Sequence, residues 1–240
     1  MGTVLQLTTG MKIRCSSADR VVNCPGSVRY NLESSPSSDA ANEGTVAHYY
    51  AALALREGMS ALPESLPDEM IDGIGVYHTA AYIFGAEPEE LHIEEKVILS
   101  EYNEGTPDCW WFDAANQQLH VWDFKYGHGF VDHYENWQLI NYAAGIKCDA
   151  LAYYLHIVQP RCYAQPAHRT WILSKEEFTV YNYRMIVAYG VAASDGRVNL
   201  SNGLIYKAPT RVGKHCKYCQ AVPTVACPAL QAEFDREIER

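Results

Sequence analysis

The sequence predicts an α/β fold built around a central mixed sheet. Three observations carry that expectation. Helical runs precede and follow a group of three strand-like segments. The stretch from Ala150 to Gln159 is almost continuously apolar, as a strand covered on both faces requires. The chain has 240 residues, 48% of them apolar, enough for one sizeable core.

The elements follow in order. A polar stretch, Asn31 to Gly44, leads to Thr45, a candidate N-cap for the helical run VAHYYAALALREG closed by Gly58. Pro63 and Pro67 punctuate a link to a second helix near Asp68 to Phe84. Strands are expected over Leu91 to Leu99, Asp108 to Asp113 and Gln118 to Lys125, the last two joined by a hairpin loop, AANQ. After a loop containing Gly127 and Gly129, Tyr134 to Lys147 reads as a helix. Ala150 to Gln159 and Arg169 to Ser174 are strands, and Lys175 to about Ala193 is a long helix. From Asn199 onward periodicity is weak, and three of the eight cysteines lie there. The expected α/β core therefore carries a cysteine-bearing tail.

Composition excludes some classes. Nineteen basic against 29 acidic residues give a net charge of −10, the wrong sign for a protein that coats nucleic acid electrostatically. No apolar run reaches the roughly 20 residues of a membrane span. The opening, MGTVLQLTTGMKIR, has no apolar signal core behind a basic end, which predicts a cytoplasmic protein with reduced cysteines. Any role on nucleic acid must come from a local site.

The chemistry concentrates around GTPDCWW and LHVWDFK. In a strand, Asp123 and Lys125 share one face while Trp122 and Phe124 take the other. A hairpin would set Asp108 beside Asp123, and two carboxylates are hard ligands for Mg²⁺ or a similar cation. Lys125 would orient a water or stabilise developing charge. Alone, an Asp-x-Lys triplet reads as a surface ion pair.

The wider pattern resembles the PD-(D/E)xK nuclease superfamily in its RecB-like exonuclease branch. Pro107-Asp108, fourteen residues, then Asp123-Phe124-Lys125 match the signature. GTVAH places His48 on an upstream helix, where the branch carries a metal-binding histidine. Gln138-Leu-Ile-Asn-Tyr142 matches the Q-x-x-x-Y motif of the following helix, and its spacing puts Gln138 and Tyr142 on one face. Glu94 or Glu95 would add a further carboxylate. The resemblance implies a restriction-endonuclease-like core with a mixed sheet flanked by helices. It also implies a deoxyribonuclease that uses Mg²⁺ or Mn²⁺, with His48, Asp108 and Asp123 at the metal. Asp108, Asp123, Lys125, Gln138 and Tyr142 would serve cleavage.

The cysteines form a second pattern. Cys216-Lys-Tyr-Cys219, seven residues, then Cys227-Pro228 is a ligand set lacking its fourth member. Spacing leaves a zinc site and an iron–sulfur cluster both open. Cys24, in Asn23-Cys24-Pro25-Gly-Ser27, can supply the missing thiolate, with Cys15 as rival. One early and three late cysteines resemble the iron–sulfur staple of the RecB-like branch, found in AddB and the related CRISPR adaptation nuclease. The phrases NCPGS, DFKYGHG and QPR resemble a phage and prophage group. This implies a [4Fe–4S] cluster on Cys24, Cys216, Cys219 and Cys227, and a bacterial host cytoplasm if phage-encoded. Cys109, Cys148 and Cys162 read as buried apolar thiols.

A cluster joining the chain ends would clamp the terminal segment onto the core. The expected organisation is one domain over 1–240. Its core spans about 44–195, with an iron–sulfur subdomain from 11–30 together with 199–230. Lys12, Arg14, Arg20 and Arg29 would then gather with Lys207, Arg211, Lys214 and Lys217 as a phosphate-binding wall. DNA is the implied partner, with replication or recombination proteins beside it and no membrane. Two rival readings remain: a non-cleaving DNA- or protein-binding module, and a zinc-stabilised regulator.

Overall fold

The structure, a computed structural model, describes residues 13–30, 39–100, 103–196, 204–222 and 227–238. Its elements are β1 (Ile13–Arg14), α1 (Ala18–Asn23), α2 (Asp39–Glu57), α3 (Asp68–Tyr82), β2 (His92–Ile93), β3 (Val97–Ser100) and β4 (Asn103–Gly105). They continue with β5 (Cys109–Asp113), β6 (Gln118–Phe124), α4 (Trp137–Gly145), β7 (Ala152–Val158), β8 (His168–Ser174), α5 (Lys175–Ala193) and α6 (Pro228–Ile238). The main sheet has the order β2-β5-β6-β7-β8. Only β6 and β7 run parallel in it, and the other neighbours are antiparallel. A second small sheet, β1-β4-β3, is also mixed. The fold is mixed α/β, as expected.

Strand β6 sits at the centre and is buried on both faces. Leu119 and Val121 join Leu139 and Ile140 of α4, Leu155 and Ile157 of β7, and Phe178 and Met185 of α5 in one core. Trp122 and Phe124 join Leu55, Ile74 and Tyr77 of α2 and α3 in the other. Alternation along one strand thus serves two layers of helices. The Trp122 indole Nε1 donates to the Ala80 carbonyl at 3.1 Å, which fixes α3 over the sheet. Asn141 of α4 donates to the Tyr189 hydroxyl of α5 at 2.6 Å on the opposite side.

Several boundaries differ from expectation. Helix α2 begins at Asp39, so Thr45 is inside it, and its hydroxyl bonds back to the Ala41 carbonyl at 3.0 Å. The polar composition before Thr45 does not stop a helix that needs no cap there; residues 31–38 lie outside the described segments. The strand expected over Leu91 to Leu99 is split into β2 and β3 because Glu94 adopts φ 54°. Helix α4 starts at Trp137, three residues late, because the Asn136 side chain caps it by accepting from the Gln138 and Leu139 amides. The long helix α5 keeps its expected span and opens with a capping box between Ser174 and Glu177. Helix α6 and the short elements β1, α1 and β4 were not legible as periodic segments. Among the described residues, no helix is long and apolar enough to cross a membrane.

The α3-side face of the sheet carries a row of histidines, of which His120 and His156 are buried. His120 Nδ1 lies 3.2 Å from His156 Nε2, and His156 Nδ1 lies 3.0 Å from His168 Nε2. Burial lowers the pKa of His120 to about 4 and that of His156 well below its ordinary value of 6.5. Both are neutral in the folded protein and protonate when it unfolds. Stability is therefore retained above pH 6.5 and falls as pH drops towards 4, by up to ~1.4 kcal/mol per pH unit for each histidine. Denaturant unfolding at pH 7.5, 6.0 and 5.0 should show this decline, and His156→Gln should flatten it. An unchanged slope in that variant would contradict the assignment.

Candidate active site

Three elements converge at the end of β6. Asp108 stands immediately before β5, on the strand paired with β6. Its Oδ2 accepts from the Phe124 amide at 2.6 Å, and its Oδ1 lies 3.0 Å from His48 Nδ1. One carboxylate therefore holds helix α2 and strand β6 in fixed relation. Glu94 completes the group: one ligand atom each from His48, Glu94 and Asp108 lies within 4.8 Å of the others. The left-handed bend at Glu94 brings it there, and its amide bonds to the Asp108 carbonyl at 3.2 Å. Glu94 was one of two candidates in sequence. Its neighbour Glu95 instead pairs with His92 Nδ1 at 2.5 Å.

An imidazole and two carboxylates form a donor set that suits a small divalent cation. The electrostatics agree with that use. Burial and then the Asp108 charge raise the Glu94 pKa. Burial would lower the His48 pKa, but the hydrogen bond and charge of Asp108 outweigh it, so the imidazole titrates above its usual value. Two carboxylates within 4.8 Å of each other repel, and a cation between them would relieve that repulsion.

Beside this group runs a second, connected one. Asp123 is 2% exposed, and its Oδ2 lies 2.7 Å from Lys125 Nζ. Lys125 donates to Gln138 Oε1 at 3.3 Å; Gln138 Nε2 lies 3.2 Å from Asp123 Oδ1 and 2.7 Å from the Tyr142 hydroxyl. The four residues form one network, set by strand alternation in β6 and by the i, i+4 spacing in α4. Burial raises the Asp123 pKa against the opposing Lys125 charge. Burial would lower the Lys125 pKa, yet Asp123 and Asp108 together raise it, so the side chain stays an ammonium. A held ammonium can stabilise negative charge; it cannot serve as a base while so paired. Burial also raises the Tyr142 pKa, which keeps its hydroxyl neutral.

The open side is a cleft of about 500 Å³. Ala41, Gly44, Thr45 and His48, one face of α2, form one wall. The opposite wall is the loop after Lys125, through Tyr126, Gly127, Gly129 and Val131, with Gln159 behind it. Glu94 and Asp108 also line the cleft. Sequence reading missed Gln159 as a site residue, although it stands in the QPR phrase.

The cysteines divide into two places. Cys15 is buried against Asn103, its Sγ 3.9 Å from Oδ1, and burial pushes its thiol up to about 12. A Cβ on Gly105 would collide with the Cys15 sulfur and with Tyr142, so Cys15 packs beneath the site network. Cys24 lies elsewhere, 4% exposed, accepting from the Arg211 amide at 3.4 Å. Burial raises its pKa, and the nearby Cys227 and Cys216 raise it further. Cys219 follows Cys216 within one 3₁₀ turn, its amide bonded to the Cys216 carbonyl at 3.0 Å. Cys24 of the early segment thus lies near Cys216 and Cys227 of the late one, and none of the described cysteines is in a disulfide. Cys109 and Cys162 are buried as expected, whereas Cys148 is only partly so.

The expected basic wall is reduced. Arg29 is committed to Asp195, with Nε at 3.1 Å, and to the Ala208 carbonyl at 2.7 Å. It ties the early segment to the late one, and it is not available to a phosphate. Lys12 lies outside the described residues.

No curated protein matches the chain. Among solved structures, the crystal structure of SSO0001 is 15% identical, with a TM-score of 0.41, over 93% of this chain and 89% of that chain. A phage related exonuclease from Haemophilus somnus 129PT is 13% identical, with a TM-score of 0.34, over 76% of this chain and 93% of that one. Both likenesses are distant. The family described as "Protein of unknown function (DUF2800)" matches residues 12–238, nearly the whole length, and the chain belongs to that family.

Proposed function

We propose that the protein is a metal-dependent deoxyribonuclease of the PD-(D/E)xK type, in its RecB-like exonuclease branch, acting on DNA in phage-type replication or recombination. The observation that carries this reading is a cleft lined by His48, Glu94, Asp108 and Lys125, with Lys125 joined behind it to the buried Asp123 and to Gln138. A His48–Glu94–Asp108 donor set lies directly beside the Asp123–Lys125–Gln138–Tyr142 network. An ordinary surface ion pair would need neither the buried aspartate nor the cleft.

His48, Glu94, Asp108 and Asp123 would hold Mg²⁺ or Mn²⁺, which supplies Lewis acidity to the scissile phosphodiester and makes an attacking water more acidic. Lys125 contributes a fixed positive charge where the phosphorane-like charge develops. Gln138 holds Lys125 and Asp123 at their working distance by bonding both. Tyr142 accepts from Gln138 and orients its amide. The Phe124 amide and His48 keep Asp108 from rotating.

Cys24, Cys216, Cys219 and Cys227 would hold a [4Fe–4S] cluster, whose contribution is to join the two ends of the chain. The shared electrostatic environment of Cys24, Cys216 and Cys227 supports that assignment over Cys15.

End-labelled linear and circular DNA, single- and double-stranded, should be digested from ends with Mg²⁺ or Mn²⁺. Asp108→Asn or Asp123→Asn should lower the rate by about 10³-fold or more, since each weakens a ligand. Undiminished cleavage in both, with metal still required, would refute the site.

Lys125→Ala should bind Mn²⁺ and DNA but lose about 10²–10³-fold in turnover, as expected for a group acting on developing charge. Gln138→Leu should cost more than Tyr142→Phe, because Gln138 bonds both Lys125 and Asp123 while the Tyr142 hydroxyl bonds Gln138 alone within this network. Single-turnover rates decide both orders.

Anaerobically purified protein should be brown and contain about four iron and four sulfide per chain. Cys24→Ser should bleach it and lower its melting temperature, whereas Cys15→Ser should leave the colour. Zinc without iron, or colour lost only in Cys15→Ser, would overturn the assignment.

A further inference from the structure

The segment Gly127–Val131 forms a wall of the cleft, and two of its three lining residues are glycines. Gly127 and Gly129 are exposed and line the cleft. A Cβ added at either position would meet no atom within 4 Å, and neither has a φ that disfavours an L residue. The fold itself therefore gives no reason for glycine at these two places. The alternate side chains are engaged away from the wall. His128 Nδ1 lies 3.3 Å from the Arg161 carbonyl, and the Phe130 ring is covered by the Arg169 guanidinium at 5.2 Å.

One buried side chain sets the path of this wall. Gln159 is 1% exposed and uses all its hydrogen-bonding capacity on the loop and its support. Its Nε2 donates to the carbonyls of Gly127 and Gly129, both at 2.8 Å. Its Oε1 accepts from the Val131 amide at 3.1 Å and from Arg169 Nη2 at 3.0 Å. Arg169 reaches the same loop, donating to the Val131 carbonyl at 2.9 Å, and donates to the Pro166 carbonyl at 2.6 Å. It is 6% exposed and, among the described residues, faces carbonyls and a ring, with no carboxylate at ion-pair distance. A buried cation in such a place is costly unless its hydrogen bonds are needed.

We propose that Gln159 is a positioning residue that holds Gly127–Val131 as a glycine-lined cradle, against which the sugar–phosphate backbone of a bound DNA strand lies. The proposal rests on the nuclease reading of the adjacent site and names where its substrate runs. A chain of phosphates and sugars needs close approach and an unobstructed wall, and the two glycines leave that space open. Glycine elsewhere in a loop serves a turn; here it serves the ligand.

The test uses the full chain with its native metals and four proteins: wild type, Gly129→Val, Gln159→Leu, and Gly190→Ala on the exposed surface of α5 as control. Affinity for a fluorescein-labelled oligonucleotide is measured with Ca²⁺ in place of Mg²⁺. KM and kcat are measured with Mn²⁺, and Mn²⁺ affinity by calorimetry. Gly129→Val should fold normally, weaken oligonucleotide binding about tenfold and raise KM similarly, with kcat and Mn²⁺ affinity changed less than about threefold. Gln159→Leu should shift in the same direction even where its melting temperature falls. Gly190→Ala should behave as wild type. Wild-type affinity in both cleft variants overturns the proposal, and so does a joint loss of Mn²⁺ and DNA affinity in Gly129→Val, which marks a general collapse. Wild type that binds the oligonucleotide without cutting it refutes the nuclease reading, while the binding comparison still decides the cradle. Wild type that does neither refutes both.

Discussion

A carboxylate buried at the end of a central strand is the constraint on which the site depends. Asp123 is enclosed on β6, where both faces of the strand are covered by helices. An unpaired charge there would be expelled or neutralised. The chain keeps it by setting Lys125 on the same face and by aiming Gln138 of α4 at both groups. Helix α4 must then lie over β6 at one position and in one rotation. Asn136 fixes its first turn, and Asn141 bonded to Tyr189 fixes its far side against α5. The packing of one layer is thus tied to the satisfaction of one buried charge.

Asp108 plays the matching part for the other layer. It bonds the β6 backbone with one oxygen and His48 of α2 with the other. The α2 face that bears His48 otherwise presents Ala41, Gly44 and Thr45, residues too small to fill the space before the sheet. A cleft results where two packed layers would ordinarily close. The small sheet supports the same place from below, since Cys15 and Gly105 press against Tyr142 and leave no room for a larger residue at position 105.

The terminal segments are bound to the body by different means. Arg29 joins the early segment to Asp195 and Ala208, and the Arg211 amide reaches the Cys24 sulfur. Gly26 is packed so closely under Ala208 and Pro209 that a Cβ would overlap their carbonyls. These contacts bring Cys24 near Cys216 and Cys227, and none of the described cysteines is in a disulfide.

By itself the sequence determined what is local. Strand alternation set Asp123 and Lys125 on one side of β6, the i, i+4 spacing set Gln138 and Tyr142 on one side of α4, and the apolar run at Ala150 announced a doubly covered strand. Only the tertiary structure decided the relations between distant segments. It chose Glu94 over Glu95 through a left-handed bend that composition does not reveal. It sent Cys15 beneath Tyr142 and Cys24 to the late cysteines, and it took Arg29 out of the basic group by pairing it with Asp195. It also made Gln159 the support of a loop some thirty residues earlier in the chain. The division has a physical cause. Periodicity and spacing record how a residue faces its own element, whereas ligand sets, ion pairs and loop supports depend on which surfaces meet, and that follows from the packing of the whole core.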